Sequence, residues 1–153
     1  MDFNKELKKL KKIHLAFLVV GGFAFVILYL LKTNKIIENV ILTNSNVNIV
    51  LQSVGILLTL GLVVLAYHYY SKVLKINKNN SQDEVLESSY LNAKKVQNSI
   101  IYSVVGLNLL LFVLTFQKQF ELLTVISLVI CAINFPKKAQ FLQDYKELEE
   151  VEN

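Results

Sequence analysis

From residue 96 to residue 117 the chain runs 22 residues without a formal charge. At about 1.5 Å per residue, a helix of that length crosses a hydrocarbon core of about 30 Å. Upstream, Ser81-x-x-Glu84 ahead of Val85 and Leu86 reads as a capping box, and no Gly or Pro follows until Gly106. One helix of about 35 residues is expected, its first part in water and its second in lipid. On the membrane half, Ser99, Ser103, Gly106, Leu110 and Val113 share one face, where small residues let another backbone approach. Val104, Asn108, Leu111 and Thr115 share the opposite face. A helix with reasons to touch partners on both sides is predicted to be the central one.

The rest of the chain repeats the pattern. The 16 Lys and 12 acidic residues are gathered into short blocks, while 54% of all residues are hydrophobic. A soluble domain would scatter its charges more evenly, so the pattern indicates a polytopic membrane protein. Spans are predicted at about 13–32, 49–70, 96–117 and 120–135. The first follows Lys5, Lys8, Lys9, Lys11 and Lys12, but it is longer than a signal-peptide core and Leu31-Lys32-Thr33-Asn34-Lys35 offers no small-residue cleavage site. It reads as a retained anchor. A polar loop with Asn39, Asn44, Ser45 and Asn46 follows, and Lys72, Lys75 and Lys78 close the second span. The third loop is predicted at Gln117-Lys118-Gln119. The fourth span is short, at about 24 Å, with Glu121 at its mouth and Pro136 at its end. Beyond it, Phe141, Leu142, Tyr145 and Leu148 share one face of a predicted last helix in an acidic tail, residues 136–153.

Lys residues number 5, 5 and 3 in segments 1–12, 72–95 and 137–146, against Lys32, Lys35 and Lys118 in the other two loops. The positive-inside rule then places both termini in the cytoplasm, with residues 71–95 as a cytoplasmic loop and helix. Tyr67, Tyr69 and Tyr70 fit an interfacial aromatic belt. The expected fold class is all-α: an integral membrane four-helix bundle, N-in/C-in, with the third helix extended into the cytoplasm.

Charge and chemistry narrow the function. The Lys residues flank spans, which argues against nucleic acid as a partner, and the absence of Arg removes any bidentate fork for phosphate or carboxylate. A single cysteine, Cys131, leaves no intrachain disulfide or CxxC pair. No hydrolytic constellation is visible, so no catalytic residue, resident metal or cofactor is expected. No charged residue lies in the interior of any span, unlike the usual ion-coupled transporter.

Small and weakly polar residues recur at heptad-like spacing. The first span carries Gly21 and Ala24, the second Gln52, Gly55, Thr59 and Ala66, the third Ser99, Ser103 and Gly106, and the fourth Thr124, Ser127, Cys131 and Asn134. Lipid supplies no hydrophobic drive for helices to associate, so close backbone packing and interhelical hydrogen bonds must, and these stripes read as packing seams. Asn108 faces away from the third-span seam and is the candidate contact between protomers of an oligomer; an interhelical hydrogen bond there is worth about 0.6 to 2 kcal/mol. His14 and His68 fall at the cytoplasmic ends of adjacent spans, where interfacial histidine is the plain reading and a haem-ligand pair the sharp one.

Val19-Val20-Gly21 and Val104-Val105-Gly106 lie at matching depths and suggest a two-helix repeat. Tyr90-x-x-Ala93, Gly106, Phe135-Pro136-Lys137 and Asp144-Tyr145 give the last 65 or so residues a pattern that resembles a group of uncharacterised small four-span bacterial membrane proteins. The resemblance implies a bacterial inner-membrane location and this architecture. The expected function is that of a non-enzymatic accessory, interaction or immunity-type protein, acting in the lipid bilayer as a homo-oligomer or within a larger complex. A small-solute transporter or channel is the alternative, and a haem or quinone redox subunit the second alternative.

Overall fold

The computed structural model describes residues 3–34, 45–78 and 83–139, and every described regular element is helical. Among the described residues there are four helices: α1 (Phe3–Thr33), α2 (Ser45–Lys78), α3 (Asp83–Thr115) and α4 (Lys118–Ile133). Three of them, α1 to α3, are long and apolar enough to cross a membrane. α4 has 16 residues and spans about 24 Å.

α3 packs against each of the other three helices. It also buries 44% of its apolar window, against 11% for α1 and 17% for α2, which makes it the axis of the bundle. Cross-helix contacts fix the directions. Phe3 meets Tyr90 and Phe25 meets Phe112, so α1 runs parallel to α3. Tyr70 meets Tyr90 while Thr59 meets Asn108, so α2 runs antiparallel to α3. The reach from His14 to Cys131 and from Lys32 to Glu121 sets α4 antiparallel to α1.

The interior is arranged in tiers. At one end Phe3, Leu7, Tyr70, Leu74, Tyr90, Leu91 and Ala93 form an apolar cluster. In the middle Ala66, Ile101, Val105 and Cys131 are ringed by Phe17, Tyr102 and Leu128. At the far end Leu111, Phe112, Phe116 and Phe120 pack with Phe25, Leu28 and Leu51. Outside, the bundle is apolar: Phe23 and Leu57 are 69% and 70% exposed, whereas Thr59, Asn108, Thr124 and Asn134 are buried. Greasy outside and polar inside is the distribution that a lipid solvent favours.

In the first tier α1 and α2, like α3, continue beyond their apolar runs. α1 starts at Phe3 and α2 continues to Lys78. Phe3, Leu7, Leu10 and His14 recur at helical spacing and are buried, while Lys5, Lys8, Lys9 and Lys12 point outward, so the Lys-rich start is an amphipathic turn sequence with its own partner. Tyr70 is correspondingly a core residue; Tyr67 and Tyr69 are exposed.

The third loop lies a residue or two earlier than expected. α3 ends at Thr115, Phe116 adopts φ 48°, and Gln117 is the extended N-cap of α4. A left-handed conformation disfavours a bulky residue, but here the Phe116 ring is buried edge-on against Phe112, with centroids 5.6 Å apart. Ring burial holds the backbone where a glycine would ordinarily sit. The two Val-Val-Gly triplets are not equivalent: Val19 and Val20 are 54% and 68% exposed, Val104 and Val105 fully buried, and Gly21 is buried where Gly106 is exposed. Ser45 and Asn46, expected in the polar loop, open α2, while the capping residue Ser81, the rest of that loop from residue 35 to 44 and the predicted helix after Pro136, with Phe141, Leu142, Tyr145 and Leu148, lie outside the described residues.

Candidate functional site

Near the first tier, a half-open cleft of about 400 Å³ lies between α1 and α3. Glu6, Lys9, Leu10 and Ile13 line it from α1, and Lys95, Asn98, Ser99 and Tyr102 from α3. Both sets repeat at i, i+3, i+4 and i+7, so two matched helical faces meet across the gap. The Lys95 ammonium lies 3.3 Å from a Glu6 carboxylate oxygen at the mouth. The pair is partly exposed, which keeps its own contribution to stability small.

Tyr102, one of the lining residues, joins the cleft to a polar and deeply buried group. His14 is inaccessible, with Nε2 2.9 Å from the Cys131 carbonyl and Nδ1 2.7 Å from the Tyr102 hydroxyl. A carbonyl only accepts, so Nε2 carries the proton and donates; Tyr102 donates to the bare Nδ1 of the neutral ring. Phe17 stacks on Tyr102 at 4.2 Å and Phe135 sets its edge against His14 at 5.4 Å, fixing both rings. Beside them Lys94 is buried with its ammonium 4.9 Å from the Tyr70 ring centroid. Asn98 is 1% exposed, and neither atom of its amide makes a hydrogen bond of normal geometry among the described residues. Tyr102 lies next to it, and its oxygen, having given its proton to His14, still accepts, so it is the one protein group in reach of Asn98 Nδ2. A buried, unmet amide oxygen costs about 1–3 kcal/mol, so Asn98 Oδ1 is the conspicuous polar atom of the cleft.

Elsewhere most buried polar residues bond within the protein, Gln97 Oε1 being the exception among the described residues. Thr59 donates to Asn108 Oδ1 at 3.0 Å, and Asn108 Nδ2 points to the Leu123 carbonyl at 3.5 Å. Gln52 donates to Gln117, Asn134 to Tyr67, Thr124 to the Phe120 carbonyl and Ser127 to the Thr124 carbonyl. At the far end Lys32 and Glu121 pair at 2.6 Å.

The seam residues divide in two. Gly55 admits the Phe120 ring so closely that a Cβ there would lie 2.7 Å from it, and Gly21 faces Leu128. Thr59, Ala66, Thr124, Ser127, Cys131 and Asn134 are buried, with Gln52 and Ala24 partly so. On α3 the expected faces are exchanged. Ser99, Ser103 and Gly106 are exposed, Ser103 donates to its own helix at the Ser99 carbonyl, and a Cβ at Gly106 would meet nothing within 4 Å. Asn108 is instead fully buried between α2 and α4, so it is spoken for within one chain rather than held for a second protomer. The reason is packing volume: Ile101, Val104, Val105, Leu111 and Phe112 fill the space between four helices, and a face of Ser and Gly would leave it empty.

His14 is likewise inside the bundle rather than at its surface, and both of its nitrogens are engaged by protein groups, while His68 is exposed on α2. The one lone pair of the neutral ring, on Nδ1, is taken by Tyr102 and so is not free for a haem iron. Among the described residues no three His, Cys, Asp or Glu side chains gather at metal-binding distance. Sequence reasoning missed Tyr102, Lys94 and Asn98; the matched i, i+3, i+4, i+7 series of α1 and α3 was the available signal.

No protein-family model, curated protein or solved structure matches the chain.

Proposed function

We propose that this chain is a non-enzymatic accessory or interaction protein of a bacterial inner membrane, crossing it four times with both termini in the cytoplasm. An immunity-type role belongs to the same class. The observation that carries this reading is the segregation of polar groups. Those in the middle and far tiers bond within the bundle, to each other as Thr59 does to Asn108 and Asn134 to Tyr67 or to backbone carbonyls as Thr124 and Ser127 do, while the cleft and most Lys residues gather at one end. Such a protein offers its partners an end rather than a passage. Lys118 and Lys137 bracket α4, which supports a short fourth crossing through locally thinned lipid.

The transporter alternative needs Gln52, Thr59, Ser103 and Asn108 on one wetted path. Thr59 and Asn108 instead face each other in the interior and Ser103 faces outward, which favours the accessory reading. The redox alternative loses its ligand pair with the engagement of His14.

Purification of the tagged chain in mild detergent, with identification and quantification of what comes along, tests the reading. A membrane protein recovered at fixed stoichiometry is the expected result. A chain recovered alone that moves a solute across proteoliposomes would overturn it.

A further inference from the structure

We propose that the α1–α3 cleft binds the headgroup of an anionic phospholipid, one that carries hydroxyls as well as phosphate. Three independent observations converge. First, Asn98 lines the cleft, is 1% exposed, and makes no hydrogen bond of normal geometry among the described residues, with only the Tyr102 oxygen in reach of its Nδ2. An amide offers two donors and an acceptor. The second N–H of Nδ2 suits a phosphate oxygen and Oδ1 suits a headgroup hydroxyl, so one side chain matches both functions of such a lipid. Buried groups left unmet by protein are where a ligand or ordered water belongs.

Second, the mouth carries two cations, Lys9 and Lys95, against one anion, Glu6. The excess positive charge favours a phosphate. Lys95 is held only by a partly exposed pair at 3.3 Å, from which it can turn to an incoming anion at small cost.

Third, the cleft sits where the Lys-rich turns of α1 give way to its uncharged run at Ile13, the level at which headgroups lie on the membrane reading. From Ser99 the exposed small side chains of Ser103 and Gly106 continue along α3 and leave a shallow lane in which acyl chains can lie. A free anion would use the cations but neither Ile13 nor the lane, so a lipid accounts for more of the surface.

The inference rests on the membrane reading alone. Retention of the chain in carbonate-washed membranes checks that reading separately: a chain released by the wash fails it, whereas an integral chain without lipid preference fails only the inference. The test is native mass spectrometry of the purified full chain titrated with phosphatidylglycerol, phosphatidylcholine or inorganic phosphate. Phosphatidylglycerol is expected to be retained at least fivefold better than phosphatidylcholine, and phosphate alone not retained. Asn98→Leu is expected to lower phosphatidylglycerol binding at least fivefold without changing that of phosphatidylcholine. Lys9→Gln/Lys95→Gln, at partly exposed positions where folding is not at risk, is expected to do the same and serves should Asn98→Leu not fold. Equal retention of the two lipids, retention of phosphate alone, or wild-type binding by the folded variants would overturn the proposal.

Discussion

Gly55 and Gly106 are the same residue in opposite circumstances. A methyl group at Gly55 would lie 2.7 Å from the Phe120 ring and 3.1 Å from Leu111, both buried, so Gly55→Ala forces a shift in a packed tier. Overpacking of this kind costs about 1–3 kcal/mol. A methyl group at Gly106 meets nothing, so Gly106→Ala is expected to leave stability unchanged or raise it slightly. Thermal midpoints of both variants in one detergent check the contrast. His14 teaches a related point. Its position at the edge of an apolar run made it look interfacial; its burial is decided by Tyr102 and Cys131, 88 and 117 residues away, which no local pattern announces. Tyr102→Phe removes the donor to Nδ1 while keeping the stacked ring, and is expected to cost about 1–3 kcal/mol, read as a lowered midpoint with unchanged helical content.

Among the elements, the seams of α2 and α4 were legible because each helix carries only one row of small and polar residues. α3 carries two, on opposite faces, and spacing cannot choose between them. The choice is made by volume, since three helices converge on α3 and only its Val, Leu and Phe face fills the space. Asn108→Leu is therefore expected to act within the chain. It removes the bond to Thr59, worth about 0.6 to 2 kcal/mol, and leaves any self-association untouched. Thermal unfolding and cross-linking of the same sample separate the two effects, and a change in cross-linking alone would count against the assignment. The first tier was illegible for another reason: the density of Lys in residues 1–12 hid the Phe3, Leu7, Leu10 row. Leu7 is 4% exposed, and Leu7→Ala is expected to cost about 2–5 kcal/mol, which hydrogen exchange should localise to the starts of α1 and α3 and the end of α2.

For the molecule as a whole, alternating Lys blocks and uncharged runs foretold an all-helical chain with long apolar helices, because charge is so costly in lipid that its placement is nearly forced. They said nothing of the cleft, which depends on how two helices pack. The central claim is that α3 turns Asn108 toward α2 and shows Ser103 to lipid. Site-directed cross-linking tests it most directly: in a Cys131→Ala background, Thr59→Cys/Asn108→Cys should close an intrachain bridge, while Ser103→Cys should react with a lipid-phase thiol probe and form no bridge to a cysteine placed at Thr59. A bridge from position 103 to position 59, with position 108 open to the probe, would contradict the account.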